Sequence, residues 1–165
     1  MKKSVVGILA HVDAGKTTLT NLLLRLYDPT SGEISLNGQN IKDFKAGDYR
    51  ERYSTVFQDF KVFSLNIKEN VLLRKTESKD DELILSALKE SGIYEKVSTL
   101  ENGLDSILTR EFDDKGVNLS VGQQQKLSLA RVFATDTPFV ILDEPSSALD
   151  PIAEYEMFEN KMNMK

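Results

Sequence analysis

The sequence predicts an α/β fold interrupted by a helical insertion, and three observations predict it. Val5 to Leu9 is a short, β-branched apolar run, which reads as a buried parallel strand feeding a glycine-containing loop and then a helix. Phe139 to Leu142 is a second such run, and it ends in two adjacent carboxylates, Asp143 and Glu144. Between them, from about Lys61 to Leu100, the apolar spacing turns helical. At 165 residues the chain suits one domain, residues 1–165. Its core would be 1–60 and 122–165, with the insertion over about 61–121.

Leu19, Leu22, Leu23 and Leu26 fall on one helical face, and Pro29 is expected to stop that helix. Glu33 to Leu36 alternates polar and apolar, and Asn37-Gly38 is a strong hairpin signal. Ser54 to Phe57 reads as another strand. Ile84, Ala87 and Leu88 share a helix face, and Gly92 suits a helix C-cap. Asn102-Gly103 and Asp113 to Gly116 are loops. Gln123 to Ala134 reads as helix, and Thr135 to Pro138 as a turn. Asp150-Pro151 opens a last helix, with aspartate as N-cap and proline in the first turn.

Bulk properties exclude several classes. A formal net charge of -5 argues against a general nucleic-acid binder, which needs a basic face. There is no cysteine, so disulfides and thiolate metal sites are excluded. No apolar run approaches the roughly 20 residues that cross a bilayer. Met1-Lys2-Lys3 before Ser4 to Ala10 has the outline of a signal peptide, but the apolar run is short and His11 and Asp13 follow at once. A cytoplasmic location is expected, peripheral to the membrane through a partner.

Ala10-His11-Val12-Asp13-Ala14-Gly15-Lys16-Thr17 fits a Walker A loop, the mark of a P-loop NTPase core. Gly15 lets backbone N–H groups approach phosphates, and Lys16 offers a charge to the β- and γ-phosphates. Thr17 offers a hydroxyl to Mg²⁺, and the following helix adds its N-terminal dipole. Asp13, Ala14 and Thr18 complete the nucleotide-binding stretch. The bland alternative is a glycine turn that happens to carry lysine; the strand before and the helix after argue against it. The wording of Ser4 to Thr20 resembles translational GTPases, including tetracycline-resistance proteins of the ribosomal protection type. That resemblance implies GTP binding, but only for about the first twenty residues. Asp136-Thr137-Pro138-Phe139 lacks the glycine of the second GTPase motif, and Asn160-Lys161-Met162-Asn163 ends in asparagine rather than aspartate. The chain therefore reads as a join near Thr20 or Asn21, whether designed, recombinant or an artefact of assembly.

From about Asn21 to Tyr155 the motifs resemble the nucleotide-binding domain of ABC transporters, in that family's order. Val56-Phe57-Gln58-Asp59 resembles the Q-loop. The resemblance gives Gln58 a place on Mg²⁺ or the attacking water, where the alternative is a surface amide. Leu119-Ser120-Val121-Gly122-Gln123 resembles the signature, with Val121 in place of the first glycine. There Ser120, Gly122 and Gln123 would cap the γ-phosphate held by a second subunit; the alternative is a plain serine-capped helix start. Asp143 resembles the Walker B aspartate that holds Mg²⁺, and Glu144 the carboxylate that orients or deprotonates water. Pro145 to Asp150 resembles the D-loop, which bridges the two subunits.

The resemblance implies ATP and Mg²⁺ as cofactors and ATP hydrolysis coupled to transport. It implies as partners a second nucleotide-binding domain, head to tail, and the transmembrane domains of an exporter. The stretch from Asp28 to Ile34 and from Val56 to Ile67 looks exporter-like. Relative to the family domain the chain reads as truncated at both ends. The residues before the phosphate loop offer no adenine-stacking aromatic, and the sole histidine, His11, lies inside the loop, so this chain is expected to lack the family's switch histidine. Tyr27, Tyr49 and Tyr53 read as packing or surface residues. Weak nucleotide binding and very low hydrolysis are expected. A degenerate or designed P-loop scaffold with little turnover is the other reading.

Overall fold

The computed structural model describes residues 4–7, 16–57 and 59–142, with side chains for 18–57 and 59–141. The elements run β1 (Ser4–Gly7), α1 (Lys16–Leu23), β2 (Ser35–Leu36), β3 (Gln39–Asn40), α2 (Ala46–Arg50), β4 (Tyr53–Val56), α3 (Ile67–Leu72), α4 (Asp81–Glu90), α5 (Tyr94–Ser98), α6 (Val121–Phe133) and β5 (Phe139–Leu142). The last expected helix, from Asp150, lies outside the described residues.

β1, β5 and β4 form a parallel sheet in that order. β5 is the central strand, which explains its unbroken apolar run: Val140 and Ile141 are both buried. The Asn37-Gly38 expectation holds. β2 and β3 pair antiparallel across it, with φ of 53° at Asn37 and 82° at Gly38, as a type I′ turn requires.

Helix α1 departs from expectation. Its leucine face is not the buried one. Thr20 and Leu24 are buried, one turn apart, while Leu19 and Leu26 are exposed. The helix also stops before Pro29, because Arg25 turns left-handed with φ of 54°. The cause is tertiary: side chains from α2 take the carbonyls of Leu23, Leu24 and Arg25, which a longer helix would need for itself.

The segment 61–100 is less continuous than its pattern implied. Helix begins only at Ile67, where the Asn66 side chain accepts the Glu69 N–H, and α3 ends at Leu73 in the left-handed region. Between α3 and α4 the Arg74 guanidinium grips the Asp80 carboxylate at 2.8 and 2.9 Å, and the Glu77 N–H adds a third bond at 2.9 Å. Together they lower the Asp80 pKa to about 2. A carboxyl lowered in the folded state stabilises above its ordinary range and loses that contribution as pH falls through the folded value. Acid unfolding is therefore expected to steepen between about pH 4 and pH 2. In Arg74→Ala that part of a stability–pH profile should flatten.

α4 ends as predicted. Gly92 has φ of 71°, its N–H bonds the Lys89 carbonyl at 3.0 Å, and the Ile93 N–H reaches the Leu88 carbonyl at 3.1 Å. This is a complete Schellman cap, and its accompanying apolar pair, Leu88 and Ile93, is fully buried. In the loop 113–116, Gly116 packs so tightly on the Thr109 carbonyl that a Cβ has no room.

Helix α6 starts at Val121, two residues earlier than expected. Ser120 accepts the Gln123 N–H, and the Gln123 side chain takes the Ser120 N–H in return. This reciprocal capping box fixes the helix start. The helix then serves two cores. Leu127 and Ala130 join Ile67, Val71, Ile84, Leu88 and others in a helical cluster. Leu129 and Val132 pack with Val56 and Val140 against the sheet. Leu127→Ala would leave a void at the centre of the helical cluster. It is expected to cost about 2–5 kcal/mol in urea unfolding. Leu83→Ala, at an exposed position on α4, should cost within about 0.5 kcal/mol. No helix among the described residues is long and apolar enough to cross a membrane.

Candidate functional site

The parallel register brings three strand ends level. Gly7 pairs with Leu142, and Leu142 with Val56, so β1, β5 and β4 finish along one edge of the sheet. In open parallel sheets this carboxyl edge is where ligands bind. Each strand end feeds a sequence-predicted motif. Residues 8–15 follow β1, Gln58 lies two positions beyond Val56, and Asp143-Glu144 follow Leu142 directly. Asp13, Ala14, Gly15, Gln58, Asp143 and Glu144 themselves lie outside the described residues. Lys16 and Thr17 open the first turn of α1, where unpaired backbone N–H groups favour an anion. Thr18 follows on α1 and is exposed.

The signature residues are grouped elsewhere. Ser120, Gly122 and Gln123 form the start of α6, and Val121 is 72% exposed there. The first residue of α6 in the apolar cluster against the sheet is Leu129. Nine residues of helix, about 14 Å at 1.5 Å each, separate it from Ser120. The structure thus gathers the approaches to the phosphate loop, Gln58 and Asp143 along one edge and sets the signature turn apart from them. Ser120 acts as a helix cap, which both readings of that serine share, and it is exposed.

Beside the end of β4 is a cavity of about 290 Å³, lined by Thr55, Phe57, Asp59, Lys61, Ser128 and Arg131. Two polar side chains that sequence reasoning missed shape this region. Asn70 is fully buried; its amide accepts the Phe63 N–H at 2.9 Å and donates to the Phe63 and Leu65 carbonyls at 2.9 and 3.1 Å. Arg131, from the last turn of α6, donates to the Asn70 carbonyl at 2.8 Å and the Lys61 carbonyl at 2.7 Å. Burial lowers the Arg131 pKa from its usual value. Together they tie the segment that follows Gln58 to the signature helix. The available signal was a poor helix former, Asn70, inside an apolar helical stretch. Tyr49 is packed, Tyr53 is half-buried against Phe139, and Tyr27 is exposed, so all three are packing or surface residues as expected.

A profile of the ABC transporter family matches residues 1–147. The chain belongs to the ABC transporter family. The match begins at residue 1 and so takes in the loop whose wording resembles translational GTPases. This ABC transporter ATP-binding domain is 42% identical over 149 residues to provisionally named multidrug export ATP-binding/permease proteins of Staphylococcus aureus, among them those of strains NCTC 8325 and COL. The aligned part is 90% of this chain but 25% of those relatives, so the chain spans about a quarter of their length. Among solved structures it superposes on a bacterial Atm1-family ABC exporter with ATP bound. The TM-score is 0.76 at 29% identity, over 94% of this chain and 26% of that one.

Proposed function

We propose that the chain binds ATP with Mg²⁺ along the carboxyl edge of its sheet and works as the nucleotide-binding domain of an exporter. The observation that carries this is the level register of β1, β5 and β4, with α1 starting at Lys16 where the phosphate loop ends. The donor set suits a magnesium nucleotide: backbone N–H groups and an ammonium for phosphate, a hydroxyl and a carboxylate for a hard cation. Asp13, Ala14, Gly15, Lys16, Thr17 and Thr18 hold the phosphates. Thr17 and Asp143 would hold Mg²⁺, with Gln58 beside them, and the cation would neutralise charge between the phosphates.

Hydrolysis is an in-line displacement in which positioning and charge stabilisation do most of the chemistry. Glu144 orients the attacking water and takes its proton, with Gln58 fixing the water's place. Ser120, Gly122 and Gln123 contact the γ-phosphate bound by a second copy, which explains why they stand apart from this chain's own strand ends. Val121 restricts the backbone where the family has glycine, and so weakens that contact. The domain comprises residues 1–165, with core 1–60 and 122–165 and an insertion over about 61–121. Its partners are a second nucleotide-binding domain and exporter transmembrane domains, which place it at the cytoplasmic face of a membrane. Isothermal titration with ATP and with GTP, each with Mg²⁺, tests this. ATP is expected to bind at least as tightly as GTP, and a clear preference for GTP would overturn the reading.

A further inference from the structure

We infer that Tyr49 and Arg50 are positioning residues for the phosphate-binding end of α1, acting by clamping its opposite end. Neither residue belongs to any of the motifs. Arg50 donates from Nε to the Leu24 carbonyl at 3.0 Å and from its second guanidinium nitrogen to the Arg25 carbonyl at 2.7 Å. The Tyr49 hydroxyl donates to the Leu23 carbonyl at 2.8 Å. A phenol has one proton, so the Tyr53 hydroxyl, 2.9 Å away, must donate to Tyr49. Three successive carbonyls at the C-terminal end of α1 are thus satisfied from α2, and a guanidinium sits where the helix dipole is negative. The lock is reciprocal. Arg25 reaches back to the Ile41 and Phe44 carbonyls at 3.1 and 2.6 Å. Tyr49 is 1% exposed, so its side chain has no freedom to yield.

Leverage makes this matter at the other end. Helix α1 has 8 residues. It is therefore about 12 Å long, and a tilt of about 10° at the clamped end moves its first turn by about 2 Å. Displacements near 1 Å are enough to spoil a positioned phosphate contact. The clamp fixes the helix axis, and with it the place of the backbone at Lys16 and Thr17. The ligand side of this inference rests on the ATP reading proposed above.

The test uses the full chain and two readouts. In calorimetric titration with ATP and Mg²⁺, Arg50→Ala is expected to weaken binding about tenfold. Tyr49→Phe, which keeps the ring and drops the hydroxyl, should lose less, and Arg50→Lys should recover part of the loss. Leu127→Ala serves as a comparator that is destabilised far from α1; its affinity should fall only with its unfolded fraction. In hydrogen exchange, Arg50→Ala should speed the amides of residues 20–24 and leave those of α4 and α6 unchanged. Wild-type affinity in Arg50→Ala, or a loss that merely tracks unfolding as in Leu127→Ala, would overturn the inference. If the wild-type chain takes up no ATP, the ATP reading fails and exchange decides alone: faster exchange confined to α1 upholds the clamp, and unchanged or uniformly faster exchange overturns it.

Discussion

Glu144→Gln is expected to reduce the low ATP turnover of this chain to background while ATP affinity stays within about threefold. The substitution keeps the size and hydrogen-bonding shape of the side chain and removes its basicity. Water can still be held, but its proton has no acceptor as it attacks. Binding should survive, because the proposed reading assigns the phosphates to the loop and the first turn of α1 and not to Glu144. The pair of measurements is phosphate release under saturating ATP and titration of ATP binding. Equal turnover in the variant would remove Glu144 from the chemistry. Equal loss of both would make it a binding or folding residue instead.

Lys16→Ala is expected to weaken ATP binding by about two orders of magnitude. An ammonium bonded to phosphate contributes about 1.5–3 kcal/mol per charge-assisted bond, and about 3 kcal/mol corresponds to roughly a hundredfold in affinity. Alanine is the best helix former, so α1 itself should be unharmed. Lys16→Arg is a poor substitute, because a planar fork does not replace a compact point charge between two phosphates. Calorimetric titration reads the effect, with far-ultraviolet circular dichroism as the check on folding. Undiminished affinity in Lys16→Ala would detach the loop from phosphate binding.

Features set by neighbours along the chain were legible in the sequence. Asn37-Gly38 specifies its turn because only those residue types accept two positive φ angles in succession. Gly92 specifies the end of α4 by accepting a single positive φ, and the apolar run from Phe139 to Leu142 marks the central strand. What sequence missed was decided from a distance. The burial of Thr20 rather than Leu19 depends on what packs against α1, and the stop at Arg25 depends on Tyr49 and Arg50, some 25 residues away. Asn70 stood out only as a poor helix former; that its amide serves the backbone of Phe63 and Leu65 depends on how that loop folds back on α3. At the site, motif order identified the family. The ordering of the three strand ends along one edge needed the register, which periodicity does not contain.

The double duty of α6 limits how the two halves of the molecule can move. Leu127 and Ala130 alternate in sequence with Leu129 and Val132, yet face different clusters. Successive helix positions are about 100° apart and the two pairs face nearly opposite ways, so rolling α6 by a single step would turn Ser128 and Arg131 toward one of the clusters in place of its apolar residues. Rotation about the helix axis is therefore closed off. What remains is tilt or sliding of the helix as a stiff rod, in which any swing of the exposed Ser120 turn is matched by a smaller, opposite displacement beside β4.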